Sequence, residues 1–127
     1  MVKIVFDTYA WIEYFEGSKK GEIAKEYLEN SEVLTPVVVL LELSYKFEKE
    51  GGDFKKHLNF IKLNSKIVGF NDDFVLSFGK IYNKMKKKIR DFGLADAIVL
   101  NTAEIYNANV LTGDKHFSNI NGVILLE

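Results

Sequence analysis

MVKIVFDTYAWIEYF, residues 1–15, holds the choice of fold in its first seven positions. Val2 to Phe6 is a short apolar, β-branched run, and it stops at an aspartate. Asp7 is followed by Thr8 and by the helical apolar spacing of Ala10–Phe15. One reading makes Asp7 the N-cap of that helix, because Asp accepts the free N–H groups of a first helical turn. The other places it at the carboxyl end of a parallel strand, where open α/β sheets bind ligands. The two are compatible, and the rest of the chain bears on both.

Downstream, short apolar runs alternate with longer helical ones, the pattern of an α/β domain with a parallel sheet. Helical spacing recurs in Glu22–Leu28, with Ile23, Tyr27 and Leu28 on one face, and Glu32–Leu34 reads as a strand. In TPVVVLLELSYKFEKEGG, Thr35 as N-cap, Pro36 in the first turn and Gly51 past the end frame a helix. Its three valines pull toward strand. Asp53–Leu63 is a further helix and Lys66–Phe70 a strand. Asn71–Lys88 is the clearest amphipathic helix, with Phe74, Val75, Phe78, Ile81, Tyr82 and Met85 at three- and four-residue steps. A helix from about Gly93 to Asn107 and strands at Asn109–Thr112 and Val123–Leu126 complete the pattern. Five strands with intervening helices predict a single domain over residues 1–127, a three-layer α/β/α sandwich on a five-stranded parallel sheet.

The 127 residues, 47% of them hydrophobic with ten Phe and six Tyr, are enough for a core and argue against disorder. The absence of cysteine excludes disulfides, zinc–thiolate sites and thiol nucleophiles, and fits a reducing cytoplasm. No stretch approaches a membrane span, and the N-terminus lacks a signal-peptide layout. A net charge of −1 argues against a basic coat over the whole surface while leaving room for a local patch.

Most of the eighteen acidic residues are mixed with lysines on polar faces. Four are not. Asp7 ends a strand. Glu42 lies in VVLLELSY, where its helical neighbours are Val38, Val39 and Tyr45, with Lys46 as the one ion partner. Asp96, in GLADAIVLNTA, starts a helix between Phe92, Gly93, Val99 and Leu100. Asp114 follows a strand in NVLTGDKHF, at the same sheet edge as Asp7. Carboxylates crowded against apolar walls repel each other and lose hydration, unless a cation compensates. Oxygen ligands without cysteine favour Mg²⁺ or Mn²⁺ over zinc. Such a centre suits water activation for phosphodiester cleavage.

Each acid also has an ordinary explanation. Asp7 caps a helix, Glu42 pairs with Lys46, Asp96 favours a helix N-terminus, and TGD is a common turn. Their coincidence in one pattern outweighs the separate explanations. Asp72, Asp73 and Asp91 read as helix-start or loop acids, with Asp91 beside Arg90 as its ion partner. A covalent phosphoaspartate centre at Asp7 would want a second acid close by, and Tyr9 and Ala10 offer none.

With FDTYAWIEYF, LLEL, GLADAIVLNTA and LTGDKHF in this order, the chain resembles PIN-domain ribonucleases, and most of all the small VapC-type toxins of toxin–antitoxin pairs. The resemblance covers essentially the whole chain. It implies that Asp7, Glu42, Asp96 and Asp114 are the catalytic, metal-binding acids, supported by the polar Thr8 and Thr112. It further implies an Mg²⁺- or Mn²⁺-dependent endoribonuclease that inhibits translation, a homodimer, and a cognate antitoxin whose peptide covers the groove. Two positions depart from the family pattern. Tyr9 stands where many relatives carry Ser or Asn, and His116 where many carry a further acid.

The basic run KMKKKIR, Lys84–Arg90, has two readings. Its cations stay solvated at the last turn of a helix, or Lys86, Lys87, Lys88 and Arg90 contact RNA phosphates beside the acids. The aromatic group Tyr9, Trp11, Tyr14 and Phe15 stacks bases, fills the core or meets a partner; some of it is expected at an interface.

Overall fold

The structure, a computed structural model, describes residues 1–127. The strands are β1 (Lys3–Phe6), β2 (Glu32–Pro36), β3 (Lys66–Val68), β4 (Asn109–Thr112) and β5 (Val123–Leu125). All pair in parallel, in the order β3-β2-β1-β4-β5. The helices are α1 (Thr8–Glu16), α2 (Lys19–Asn30), α3 (Val37–Lys49), α4 (Phe54–Asn64), α5 (Asp72–Lys88) and α6 (Leu94–Tyr106), with a 3₁₀ turn at Lys115–Phe117. No helix is long and apolar enough to cross a membrane.

The chain leaves β1 toward β2 and β3, then crosses to the other side of β1 for β4 and β5. Right-handed crossovers therefore put α1–α4 on one face and α5–α6 on the other. Consistent with this, α1 packs on α2 and α3, α3 on α4, and α5 on α6. Because both faces are covered, the central strands are apolar on both sides: Ile4, Val5, Phe6, Val33, Leu34, Val110 and Leu111 are all buried.

The start of α3 corrects the reading of Thr35 and Pro36. Both belong to β2, and α3 begins at Val37 behind Pro36, with no side-chain cap. Thr35 is fully buried, and its hydroxyl is committed elsewhere. It accepts the Trp11 indole N–H at 3.1 Å and pairs with Ser65 Oγ at 2.8 Å. Since Ser65 donates its own proton to the Ile61 carbonyl, Thr35 is the donor to Ser65. One relay thus ties α1, β2 and α4 together. Pro36 is tolerated because it closes a strand and its fixed φ leads into the helix.

Two inner faces pack as expected except for one residue each. In α2 the buried positions are Gly21 and Ala24, with Tyr27 and Leu28 packed partly against the core, while Ile23 is exposed. The reason is a close approach to α1: a Cβ at Gly21 would lie 2.1 Å from the Glu13 carbonyl oxygen. In α5, Phe74 and Met85 are buried, whereas Val75 and Leu76 face outward. The α5–α6 contact is fixed by Asn101, whose amide donates to the Phe74 carbonyl at 3.0 Å while Ser77 donates to its oxygen.

Of the aromatic group, Trp11, Tyr14 and Phe15 belong to the core. Trp11 is fully buried and stacks on Phe15, and Tyr14 stacks on Phe60 of α4. The expected Arg90–Asp91 pair does not form; the ion pair is Lys46–Glu50, and the His116 imidazole lies 3.6 Å from the Asp114 carboxylate.

A carboxylate cleft at the sheet switch point

Between β1 and β4 the chain's direction of travel across the sheet reverses, and the carboxyl ends of these two strands open a crevice. Asp7 ends β1 there. Its backbone N–H still bonds the Leu111 carbonyl of β4 at 3.4 Å, so the sheet holds it to the last residue. Its side chain accepts the Ala10 N–H at 2.9 Å and caps α1. Both readings of Asp7 therefore hold.

Thr112, the last residue of β4, is fully buried. Its hydroxyl oxygen accepts the Asp114 N–H at 2.9 Å, and the group hydrogen-bonds the Asp7 carboxyl. Asp114 sits in the loop beyond β4 and accepts the His116 N–H at 2.9 Å, which starts the 3₁₀ turn. Asp96 arrives from the other layer, in the first turn of α6, where its carboxylate accepts the Gly93 N–H at 3.0 Å. One ligand atom from each of Asp96, Asp114 and His116 fits within a mutual separation of 4.8 Å.

Glu42 is exposed, not held against the apolar wall its sequence neighbours suggested. It faces the same crevice from α3 and accepts a hydrogen bond from the Thr8 hydroxyl. Lys46, its expected ion partner, instead pairs with Glu50 at 2.7 Å. Asp7, Thr8, Glu42, Asp96 and Asp114 thus line one cleft of about 590 Å³, with Thr112 beneath Asp7.

Its walls include residues the sequence reading left out. Tyr9 lies so close to Gly113 that a Cβ at that glycine would be 2.0 Å from the ring. Lys20 also holds the ring, its ammonium 3.3 Å from the phenol oxygen. The adjacency of Gly113 to Asp114 was the available signal for a close approach. Lys115 also lines the cleft and brings a positive charge to its mouth.

The four basic residues expected beside the acids do not line the cleft. Lys88 lines a neighbouring groove together with Lys84. Lys86 lies over the Tyr82 ring, and Lys87 and Arg90 are exposed outside that groove.

Electrostatics follow from this crowding. Burial is the largest influence on Asp7 and pushes its pKa up to about 7 from 3.8. Hydrogen bonds from Thr112 and Ala10 oppose the rise, and the charges of Asp114 and Asp96 add to it. Asp96 is also raised, first by burial and then by Asp114, against the Gly93 hydrogen bond and the His116 charge. The cleft therefore holds its negative charges poorly on its own. A hard divalent cation fits the donor set, which is carboxylate oxygen from three elements with one imidazole at the edge.

Comparison with known proteins agrees with this architecture. The PIN domain family model matches residues 4–123. Ribonuclease VapC1 of Methanocaldococcus jannaschii is 28% identical over 119 residues, covering 93% of this chain and 81% of that protein. A toxin–antitoxin complex from Klebsiella pneumoniae superposes with a TM-score of 0.74 at 20% identity, over 98% of both chains. VapC20 of Mycobacterium tuberculosis, a toxin that cleaves the sarcin–ricin loop, gives 0.73 at 16% identity over 98% of this chain and 99% of its own. DNA-bound VapBC from Salmonella typhimurium gives 0.73 at 20% identity, over 98% and 97% of the two chains.

Proposed function

Because the chain belongs to the PIN-domain family, we propose that it is an endoribonuclease, the toxin of a toxin–antitoxin pair, which hydrolyses RNA phosphodiester bonds with Mg²⁺ or Mn²⁺ held by Asp7, Asp96 and Asp114. Glu42 completes the quartet from the rim. The observation that carries this reading is the convergence of Asp7, Asp96 and Asp114 from β1, α6 and the loop after β4, with the most buried acid raised to about pH 7. The ribonuclease and toxin names of the similar proteins support the substrate class and the pairing with a cognate antitoxin. The same reading pairs the chain with a second copy of itself.

A cation held by Asp7, Asp96 and Asp114 would supply charge neutralisation for the phosphodiester and acidify the attacking water. The chain's own residues set up the rest. Asp96 and Asp114 are held by the Gly93 and His116 backbone N–H groups, so the carboxylates do not need to reorganise when substrate arrives. Thr8 orients Glu42 at the open side, within reach of solvent. Thr112 braces Asp7 in its ionised form. A cation held there would compete with the Asp7 proton, so cation affinity and cleavage should rise together with pH across neutrality.

The test is cleavage of a mixed RNA pool containing tRNA and structured ribosomal fragments, in Mg²⁺, Mn²⁺ or EDTA, beside Asp7→Asn and Asp96→Asn. Discrete cation-dependent cuts lost in both variants are expected. Cuts that persist in both would overturn the assignment of the acids. A parallel DNA pool cut in preference would move the substrate class to DNA. Absence of both cutting and Mn²⁺ binding by calorimetry would leave a scaffold without chemistry.

A further inference from the structure

Next to the acid cleft runs a second groove of about 580 Å³, between the C-terminal half of α5, the middle of α6 and residues 115–121. We propose that this groove holds the RNA strand on one side of the scissile phosphate, with Lys84, Lys88 and Lys115 contacting its backbone phosphates. The proposal rests on the ribonuclease reading of the acid cleft and adds the direction in which the substrate leaves it.

The first support is continuity. Lys115 lines both the groove and the acid cleft, and His116, whose imidazole reaches Asp96 and Asp114, also lines the groove. A strand with one phosphate at the acids therefore meets this groove as its next surface.

The second is charge. A carboxylate cleft repels a polyanion, so affinity for the flanking backbone must come from cations beside it. Lys84, Lys88 and Lys115 are exposed, and none of them is in an ion pair. Glu104 is the single acid lining the groove. Lysine, a compact charge on a flexible stem with three donors, suits phosphate contacts that need no fixed base geometry.

The third is spacing. Lys84 and Lys88 are four residues apart on α5 and so share a face, about 6 Å apart along the axis. Lys80 continues the stripe into an adjoining hollow that also contains Lys84 and Asn101. Lys86, in the same basic run, is turned to the opposite side of the helix, and neither it nor Lys87 lines the groove.

The experiment is fluorescence anisotropy of a labelled mixed-sequence RNA oligonucleotide on the full chain carrying Asp96→Asn, which binds without cutting, across a salt series. Three proteins are compared: that variant alone, with Lys84→Gln/Lys88→Gln, and with Lys86→Gln/Lys87→Gln. Circular dichroism checks that all three fold. Loss of two phosphate contacts predicts affinity lower by roughly an order of magnitude at 0.1 M salt, and a log–log salt slope shallower by about 1.4. The Lys86/Lys87 pair, outside the groove lining, should change both by clearly less.

Equal losses from the two pairs would mean diffuse attraction and overturn the groove. So would an unaffected Lys84/Lys88 pair, or no RNA binding at low salt. A polyglutamate peptide that needs Lys84 and Lys88 when RNA does not would reassign the groove to an acidic protein segment. Cleavage by the wild-type chain separates the two claims. If RNA is cut through the acids but the lysine pair has no effect, the groove fails and the nuclease stands. If nothing is cut yet the pair lowers the slope, the reverse holds.

Discussion

Asp7 does two jobs that pull its proton in opposite directions. As the cap of α1 and the proposed cation ligand it works ionised, yet its burial favours the neutral acid, with a pKa of about 7. A folded pKa above the ordinary 3.8 means that the folded chain holds this proton more tightly than the unfolded chain does. The corresponding stability is full below pH 3.8 and is lost as the pH climbs to about 7. Three units at 1.36 kcal/mol each give up to about 4 kcal/mol. Asp7→Asn keeps a good cap and removes the buried charge. In EDTA at pH 8 it should therefore be more stable than wild type by up to that amount, and the difference should vanish near pH 4; urea melts at the two pH values measure it. The same variant should lose cleavage by more than about 100-fold, since even a supporting partner of a metal ligand costs that much at the upper end. At Gly113 the requirement is space: Gly113→Ala meets the Tyr9 ring and should lower cleavage, with Tyr9→Ala in the same chain restoring part of it.

Among the elements, the informative case is the junction of β2 and α3. Thr-Pro before an apolar run reads as a helix start because Thr caps and Pro favours the first turn. The hydroxyl that would cap is instead the middle of the Trp11–Thr35–Ser65 relay. Thr35→Val preserves the shape and leaves the buried Trp11 N–H without an acceptor, which should cost about 1–3 kcal/mol in chemical denaturation. It should leave the cation dependence of cleavage unchanged, since Thr35 does not line the cleft. Gly21→Ala tests the α1–α2 approach. A methyl 2.1 Å from the Glu13 carbonyl forces the helices apart and should cost about 1–3 kcal/mol, as overpacked contacts do.

Across the chain as a unit, the sheet order puts the ends of β1 and β4 side by side and leaves four acids facing one cleft. Cation binding should therefore stabilise the fold as well as enable chemistry. At a hundred times its dissociation constant a ligand contributes about 2.7 kcal/mol. Mn²⁺ should raise the melting temperature of wild type at pH 8, and Asp96→Asn or Asp114→Asn should largely abolish that rise in calorimetry.

Much of this protein could be read before folding. Local periodicity specifies five short apolar runs and the helices between them, because burial on both faces of a parallel sheet leaves a pattern within a few residues. Asp7, Asp96 and Asp114 stood out for the same reason: a carboxylate at a strand end or among apolar neighbours conflicts with its surroundings, and the conflict is local. Other features depended on contacts between segments far apart in the chain. Thr35 left its capping role for an indole 24 residues away. Ile23 and Val75 turned outward because the packing of neighbouring helices sets which face is covered. Glu42 came to an open rim, Tyr9 and Lys115 became walls of the cleft, and Lys84 and Lys88 came to line a groove that Lys86 and Lys87 do not. A residue's own neighbours carry its propensity and its conflict with burial; which distant group comes to lie against it is set when the layers close.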